Sequence, residues 1–281
     1  MKINLQKFGK IPDELITNIQ TVMEDCYRRL SPHSLEIIDV FLFENSSRME
    51  EFSLRERYLV GTYSSGLEAD FIATHDAWTG IPRILISCER LQKLNPPLTE
   101  AIIRHEVAHS VLHGSLEYYV FTIPRSLSEA SEKYSLSGTL TIDILYLISM
   151  GVKDYEVTRL LLDHDYIDDQ IAYSLYVLKT KKDDLESWNL SKRDPAKMLL
   201  CLVARFKDLA CVAATLDHQS WRSTEDSPVN RELDYLSTEL RRSLVGISWA
   251  MTQMPTHDTF AKVELIAKLV ATDLMKEIFR Y

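Results

Sequence analysis

The sequence has few glycines and no closely spaced cysteines. Eight glycines occur in 281 residues, while stretches with apolar residues at helical spacing are many, which predicts a helix-dominated protein. Its four cysteines are far apart in the chain, so neither a C-x-x-C redox motif nor a cysteine zinc motif is present. We therefore expect reduced thiols that act as small, partly buried apolar groups in an intracellular protein.

An excess of basic residues and a long uncharged apolar run are also missing. The formal net charge of −9 argues against broad binding to nucleic acid or to an anionic membrane, because both require a basic surface. The most apolar run, MLLCLVARFKDLACVAATL, carries three charged residues in its middle, which is not typical of a spanning helix. The first residues, MKINLQKFGKIPDELI, contain no apolar core of a secretory signal. These absences predict a cytoplasmic protein with no membrane and no nucleic-acid partner.

The predicted elements are mixed at first and entirely helical later. Three segments rich in β-branched and aromatic residues, LEIIDVFLFE, ADFIATHD and PRILISC, predict strands among helices. The polar segment TKKDDLESWNLSKRDPAK then predicts a boundary or linker near residues 180–195. We therefore predict an α+β, helix-dominated fold with a small sheet, divided into a first domain over residues 1–180 and a helical bundle over residues 181–281.

Three of the eight histidines lie in one short segment, RHEVAHSVLHG. His105 and His109 are four residues apart, so on a helix they share one face, about 6 Å apart along the axis. Two imidazoles at this spacing can supply two of the three protein ligands of an open zinc site. Glu106 lies about 100° further round the helix, where a carboxylate reaches the metal's water without ligating the metal. The spacing predicts Zn²⁺ held by both histidines, with Glu106 as the general base.

The H-E-x-x-H string at residues 105–109 is the signature of zincin metallopeptidases, and HEVAHSVLHG is similar to the helix of the ImmA/IrrE-type metallopeptidases. The resemblance covers about ten residues. It implies hydrolysis of a peptide or protein substrate by a metal-activated water, in a zincin-like domain at the N-terminal side. It also implies a sheet whose edge strand runs beside the active-site helix. PRILISC (Pro82–Cys88) is the candidate for that strand, to which an extended peptide could add.

His113 is excluded as a ligand of the same ion by distance. It lies eight residues after His105, about 12 Å along a helix, whereas two ligands of one zinc approach within about 4 Å of each other. His113 is expected to hydrogen-bond locally or to support a ligand. A carboxylate further along the chain is then required as the third ligand, as in glutamate-type zincins.

Glu156 is the preferred third ligand. It lies in KDYEVT, a polar cluster between apolar stretches of one predicted helix, where a buried carboxylate needs a cation or a metal. Asp154 belongs to the same cluster but points about 160° away, so only one of the two can face the metal. Without a metal, Glu156 would form an ordinary ion pair with Lys153 or Arg159. The other candidate ligands are Glu129, Glu132 and Glu117.

Two questions stay open at the level of sequence. The group that stabilises the oxyanion in this chemistry is usually a tyrosine, histidine or arginine, and the candidates are Tyr118, Tyr119, Tyr155, His164 and, in the loop before PRILISC, His75 with Asp76. The second question is the function itself. The alternative to a peptidase is a non-proteolytic regulatory protein with the zincin fold, which binds a protein partner through its C-terminal helices.

Overall fold

The structure is a computed structural model that describes residues 1–60, 71–215, 227–254 and 258–280, with residues 57–60 described by their backbone only. The chain divides into two compact units. Unit 1 comprises Met1–Val120 with Asp163–Ala172, and unit 2 comprises Phe121–Leu162 with Tyr173–Tyr281. The predicted α+β, helix-dominated class is confirmed, since helices predominate beside one four-stranded sheet. The predicted boundary near residue 180 falls within unit 2, and the predicted domains stay a prediction.

Unit 1 contains the sheet. Its strands are β1 (Lys2–Phe8), β2 (Ile37–Phe43), β3 (Ala73–Asp76) and β4 (Arg83–Ser87). They lie in the order β1-β2-β4-β3, with β1, β2 and β4 parallel and β3 antiparallel to β4. The three predicted strand segments are present as β2, β3 and β4, although residues 69–70 of ADFIATHD lie outside the described part. The first strand, β1, was not predicted.

The edge strand beside the helix is β3, and the expectation that PRILISC would form it is wrong. All five residues of β4 are buried, because β4 is paired on both sides, with β2 and with β3. A continuous apolar run of this kind is typical of an internal strand that is covered on both faces. The shorter and more polar β3 pairs with β4 alone among the described strands, and it carries His75.

Four α-helices and a 3-10 turn complete the first 120 residues of unit 1. The helices are α1 (Asp13–Arg29), α2 (Ser46–Val60), α3 (Cys88–Leu91) and α4 (Pro96–Leu112), and the 3-10 turn is Leu116–Tyr119. The sequence predicted α4 over Leu98–His113 with a cap at Thr99, but the Asn95 side chain caps it by accepting the Leu98 N–H at 3.0 Å. The two prolines that follow Asn95 suit the first turn, where a backbone N–H has no helical partner.

Both faces of the sheet are apolar. On one face, Phe41 and Phe43 pack with Met49 of α2, and the Phe8 ring of β1 stacks on Phe43 with 4.8 Å between centroids. On the other face, α4 packs against α1, β3 and β4. A buried hydrogen bond of 2.7 Å between the hydroxyls of Tyr27 and Ser110 joins α1 to α4. The helix that carries the histidine motif is therefore anchored along its length.

A buried arginine joins the edge strand to its neighbour. Arg83 of β4 donates to both carboxylate oxygens of Asp76 on β3, at 2.8 and 3.1 Å, and to Glu56 of α2 at 2.9 Å. We expect Asp76→Ala to lower the free energy of unfolding by on the order of 3 kcal/mol, since it removes one partner of a buried ion pair. Urea unfolding measures this loss. Glu89→Ala, which breaks an exposed pair with Lys93, is the control, and equal midpoints for both variants would contradict the prediction.

Unit 2 is helical throughout its described residues. Helix α6 (Gly138–Asp163) ends at the border of unit 1, and α7 (Ile167–Leu178) begins in unit 1 and ends in unit 2. The other helices are α5 (Arg125–Lys133), α8 (Lys182–Ser191), α9 (Pro195–Ala214), α10 (Pro228–Glu232), α11 (Thr238–Ala250), α12 (Thr259–Leu269) and α13 (Met275–Ile278), with a π-helical turn at Val270–Leu274. The segment predicted as a linker is largely α8, which is anchored by the buried side chain of Trp188. Gly151 is required on α6, because a Cβ there would lie 2.6 Å from the Phe206 ring of α9.

The charged residues inside the apolar run of α9 are used within unit 2. Arg205 is buried, and it donates to the Leu178 carbonyl, to Thr180 Oγ1 at 2.8 Å and to Asp208 at 3.1 Å. A buried guanidinium needs such acceptors, because an unsatisfied charge in an apolar interior costs several kcal/mol. Within the described ranges, no helix has both the length and the apolar character needed to cross a membrane.

Candidate metal centre

The two histidines of the H-E-x-x-H motif converge on the inner face of α4. Their Nε2 atoms are 3.1 Å apart, and the rings meet edge to face with 4.8 Å between centroids. Both side chains are buried, with His105 2% and His109 9% exposed. Two nitrogen ligands of a tetrahedral zinc are about 3.3 Å apart, given zinc–nitrogen bonds of about 2.0–2.1 Å. The pair therefore has the separation that a shared ion requires.

Neighbouring residues on α4 explain why this pair is buried. Val107 and Ala108, between the two histidines, are 0% exposed, and Ile103 one turn earlier is also in the core. The helix is therefore embedded on more than one side, and its imidazoles are removed from bulk water. Polar groups in such a position are costly unless they have partners. A solvated helix surface that is merely rich in histidine would not have this arrangement.

Glu106 is also buried and lies near a tyrosine of the 3-10 turn. Its side chain is 7% exposed. Burial raises the pKa of Tyr119 above its ordinary value, and the negative charges of Asp76 and Glu106 raise it further. The hydroxyl of Tyr119 therefore keeps its proton at neutral pH and can donate a hydrogen bond. The Tyr119 hydroxyl, a proton donor, is therefore close enough to the Glu106 carboxylate to be affected by its charge.

Tyr119 hydrogen-bonds to the histidine of the edge strand. Its hydroxyl lies 2.7 Å from His75 Nδ1, and the His75 ring is parallel to the His109 ring within 5°, with 6.0 Å between centroids. Both residues were candidates for oxyanion stabilisation from the sequence, but their pairing joins positions 44 residues apart and has no local signal. Asp76, considered together with His75, bonds to Arg83 instead.

His113 contacts His109 on the side away from His105. His113 Nδ1 lies 3.3 Å from His109 Nδ1, and the His113 side chain is 1% exposed. The expectation that His113 would hydrogen-bond locally is confirmed. His109 therefore has one ring nitrogen toward His105 and the other toward His113.

The preferred third ligand, Glu156, has donors within unit 2. Thr259 Oγ1 donates to one carboxylate oxygen at 2.8 Å, and the Lys262 ammonium pairs with the other oxygen. Both partners are on α12, and the Lys262 side chain is 6% exposed. An ion pair of Glu156, which was considered as the alternative to a metal, is therefore present, and Lys262 is a partner that the sequence did not suggest. These contacts compensate the charge of Glu156 and therefore disfavour metal binding by its carboxylate. Its role as a ligand stays a prediction.

The remaining candidate acids have different environments. Asp154, on α6, lies about 160° round the helix from Glu156. Its charge acts on the half-buried ammonium of Lys207. Burial lowers the pKa of Lys207, but the charges of Asp208 and Asp154 outweigh it, so the pKa is raised overall. Glu129 is 61% exposed and pairs with Arg125. Glu132 and Glu117 are likewise exposed, as is typical of solvated carboxylates.

Neither a protein-family model, nor a curated protein, nor a solved structure matches the chain. The zincin resemblance therefore depends on the ten residues of HEVAHSVLHG. Any function assigned to the chain must be argued from the chemistry of its own side chains.

Proposed function

We propose that the protein is a zinc-dependent metallopeptidase. The observation that supports this most strongly is the separation of 3.1 Å between the buried Nε2 atoms of His105 and His109, with the buried carboxylate of Glu106 on the same helix. These two imidazoles would need a carboxylate as the third protein ligand. Two imidazoles and one carboxylate are a common donor set of catalytic zinc sites.

Asp154 is the carboxylate that we propose as the third ligand. Glu156, preferred from the sequence, is already neutralised by Lys262, so metal binding there would require a buried ammonium to lose its partner. Asp154 was the alternative in the same polar cluster, and the two residues cannot face one ion together because they lie on nearly opposite sides of α6. The third ligand therefore lies in the KDYEVT cluster, as expected from the sequence, but at Asp154 instead of Glu156.

The residues of unit 1 supply the proton chemistry. When bound, zinc would act as a Lewis acid that lowers the pKa of a water ligand and polarises a substrate carbonyl. Glu106 would accept the proton of the attacking water and later transfer it to the leaving amine. The Tyr119–His75 pair on the 3-10 turn and the edge strand would donate a hydrogen bond to the oxyanion as it forms. The substrate is a peptide or protein.

Metal content after loading tests this proposal. Protein that is stripped with a chelator and reloaded is expected to bind about one zinc per chain by mass spectrometry of metals, and His105→Ala and His109→Ala are expected to abolish it. His33→Ala is the matched control, because His33 is a half-buried histidine of unit 1 outside this motif. Zinc that persists in the double His105/His109 variant would refute the site. Competition with Mn²⁺, Fe²⁺ and Co²⁺ tests the identity of the metal, since these ligands suit several divalent ions.

A non-proteolytic regulatory protein is the second candidate. Apolar side chains are exposed on α8, in the region predicted to recruit a partner: Leu190 is 81% and Leu185 38% exposed. An exposed leucine such as Leu190 could be buried against a partner. Zinc binding without cleavage of any peptide in a diverse pool, combined with loss of a co-purified partner in Leu190→Glu, would favour this candidate over the peptidase.

We propose the cytoplasm as the location, as expected from the sequence. All four cysteines are described, and none forms a disulfide. Three of them are buried, and burial raises the pKa of the Cys26 thiol to about 12 and that of the Cys88 thiol to about 11. Buried thiols with raised pKa values are unreactive, which is compatible with a reducing compartment.

A further inference from the structure

The two ring nitrogens of His109 face two other histidines. Nε2 lies 3.1 Å from His105 Nε2, and Nδ1 lies 3.3 Å from His113 Nδ1. Both partners are on the same helix or at its end, four residues before and four residues after His109. His109 is thus the middle residue of a histidine triplet that runs along α4.

The proton positions in this triplet are constrained by chemistry. Two Nδ1 atoms at 3.3 Å can share a hydrogen bond only if one carries the proton and the other offers its lone pair. A neutral imidazole that binds a metal through Nε2 must carry its proton on Nδ1. His109 therefore donates from Nδ1, and His113 accepts at its own Nδ1 and carries its proton on Nε2.

The His113 ring is held in place by the end of the helix. Its backbone N–H bonds to the His109 carbonyl at 2.7 Å, and its ring packs edge to face on Tyr118, with 5.0 Å between centroids. The next residue must be glycine, because a Cβ on Gly114 would lie 2.2 Å from the Ser110 carbonyl oxygen. This close approach fixes the last turn of α4 and therefore the position of His113 Nδ1, which faces His109.

We propose that His113 is a positioning residue, which accepts a hydrogen bond from His109 Nδ1 and so orients the His109 ring with its Nε2 lone pair toward His105. Metal-binding histidines commonly donate their second nitrogen to a carboxylate, a carbonyl or a water. Here the neutral imidazole of His113 accepts that hydrogen bond instead. We extend to the metal-free protein the proton positions argued above for a metal-bound His109, and their consequence for zinc rests on the proposed function.

Nitrogen NMR of the metal-free protein tests the hydrogen bond directly. Imidazole ¹⁵N shifts at pH 8 are expected to show His109 protonated at Nδ1 and His113 protonated at Nε2, with His113→Leu giving mixed tautomers at His109. The inference is overturned if His109 of the wild-type protein carries its proton on Nε2. This readout needs neither zinc nor activity, so it decides the inference even if the protein proves to bind no metal and the proposed function fails.

Zinc affinity tests the positioning role. In competition with a chromophoric chelator, His113→Leu is expected to raise the zinc Kd about 10- to 100-fold, the effect typical of a lost outer partner. His113→Asn, whose Oδ1 lies near the position of Nδ1, is expected to recover most of this loss. Ser110→Ala removes the buried hydrogen bond to Tyr27 from the same helix and is expected to leave the Kd within about twofold.

A purely structural role for His113 predicts a different pattern. His113→Asn would then bind zinc as weakly as His113→Leu, or Ser110→Ala would bind zinc equally weakly. Either result overturns the proposal. A zinc Kd of His113→Leu within twofold of the wild-type value overturns it as well. Circular dichroism identifies a variant that fails to fold. If His113→Leu does not fold, His113→Asn replaces it as the test. A wild-type-like zinc Kd of folded His113→Asn, with the expected tautomers in the wild-type protein, supports the proposal. A weakened Kd or the other tautomer at His109 refutes it.

Discussion

Glu106→Gln is expected to leave zinc bound and to lower the rate of peptide hydrolysis by about 10²- to 10⁴-fold, the contribution typical of a general base. Glutamine has nearly the same shape as the buried glutamate, so the packing of α4 is preserved. Its amide cannot accept a proton from the attacking water, however, and the chemical step loses its base. The expected change is therefore in kcat, with no change in zinc content.

The measurement is cleavage of a diverse peptide pool, followed by mass spectrometry, with wild-type and variant protein loaded to equal zinc content. Glu100→Gln is the matched control, because Glu100 is on the same helix but bonds to Arg104, and its activity is expected to equal that of the wild type. Activity of Glu106→Gln above about a tenth of the wild-type value would contradict the proposed mechanism.

Asp154→Ala and Glu156→Gln are expected to have opposite effects. Asp154→Ala removes a proposed ligand and should raise the zinc Kd by more than about 100-fold. Loss of a residue that only hydrogen-bonds to a ligand typically costs about 10- to 100-fold. Glu156→Gln should leave zinc affinity unchanged but lower the free energy of unfolding by about 3–5 kcal/mol, because it leaves the buried Lys262 ammonium without its carboxylate.

Both effects are measurable on the same two proteins, by zinc competition with a chelator and by urea unfolding of the metal-free form. Glu129→Gln, at an exposed pair with Arg125, is the control and is expected to change neither quantity. If Glu156→Gln loses zinc while Asp154→Ala retains it, the third ligand is Glu156, as the sequence predicted, and the proposed role of Asp154 is wrong.

The approach of the two buried histidines could be predicted from sequence because its geometry is local. Residues four apart on a helix must share a face, and the apolar residues between His105 and His109 indicate burial. The environment of Glu156 could not be predicted in this way. Its partner Lys262 lies 106 residues later in the chain, and no periodicity within KDYEVT indicates which of the two faces of α6 meets that lysine.

The sheet shows the same distinction between local and distant information. The residue types of PRILISC predicted a strand, but whether a strand is internal or at an edge depends on pairing with distant segments. β1 was missed because KINLQKF has no run of β-branched and aromatic residues, which is the sequence signal of a strand. None of its residues is buried. In α8, polarity and a nearby proline suggested a linker, while the capping interaction of Lys181 with Asp184 and the burial of Trp188 stabilise a helix.

A crystal of the zinc-loaded protein, with anomalous diffraction data collected on both sides of the zinc absorption edge, would locate the metal and its ligands. We predict one strong anomalous peak at about 2.0–2.1 Å from the Nε2 atoms of both His105 and His109, with an Asp154 oxygen as the third protein ligand. A peak at any other site, or ligation through His113 in place of His105, would contradict this prediction.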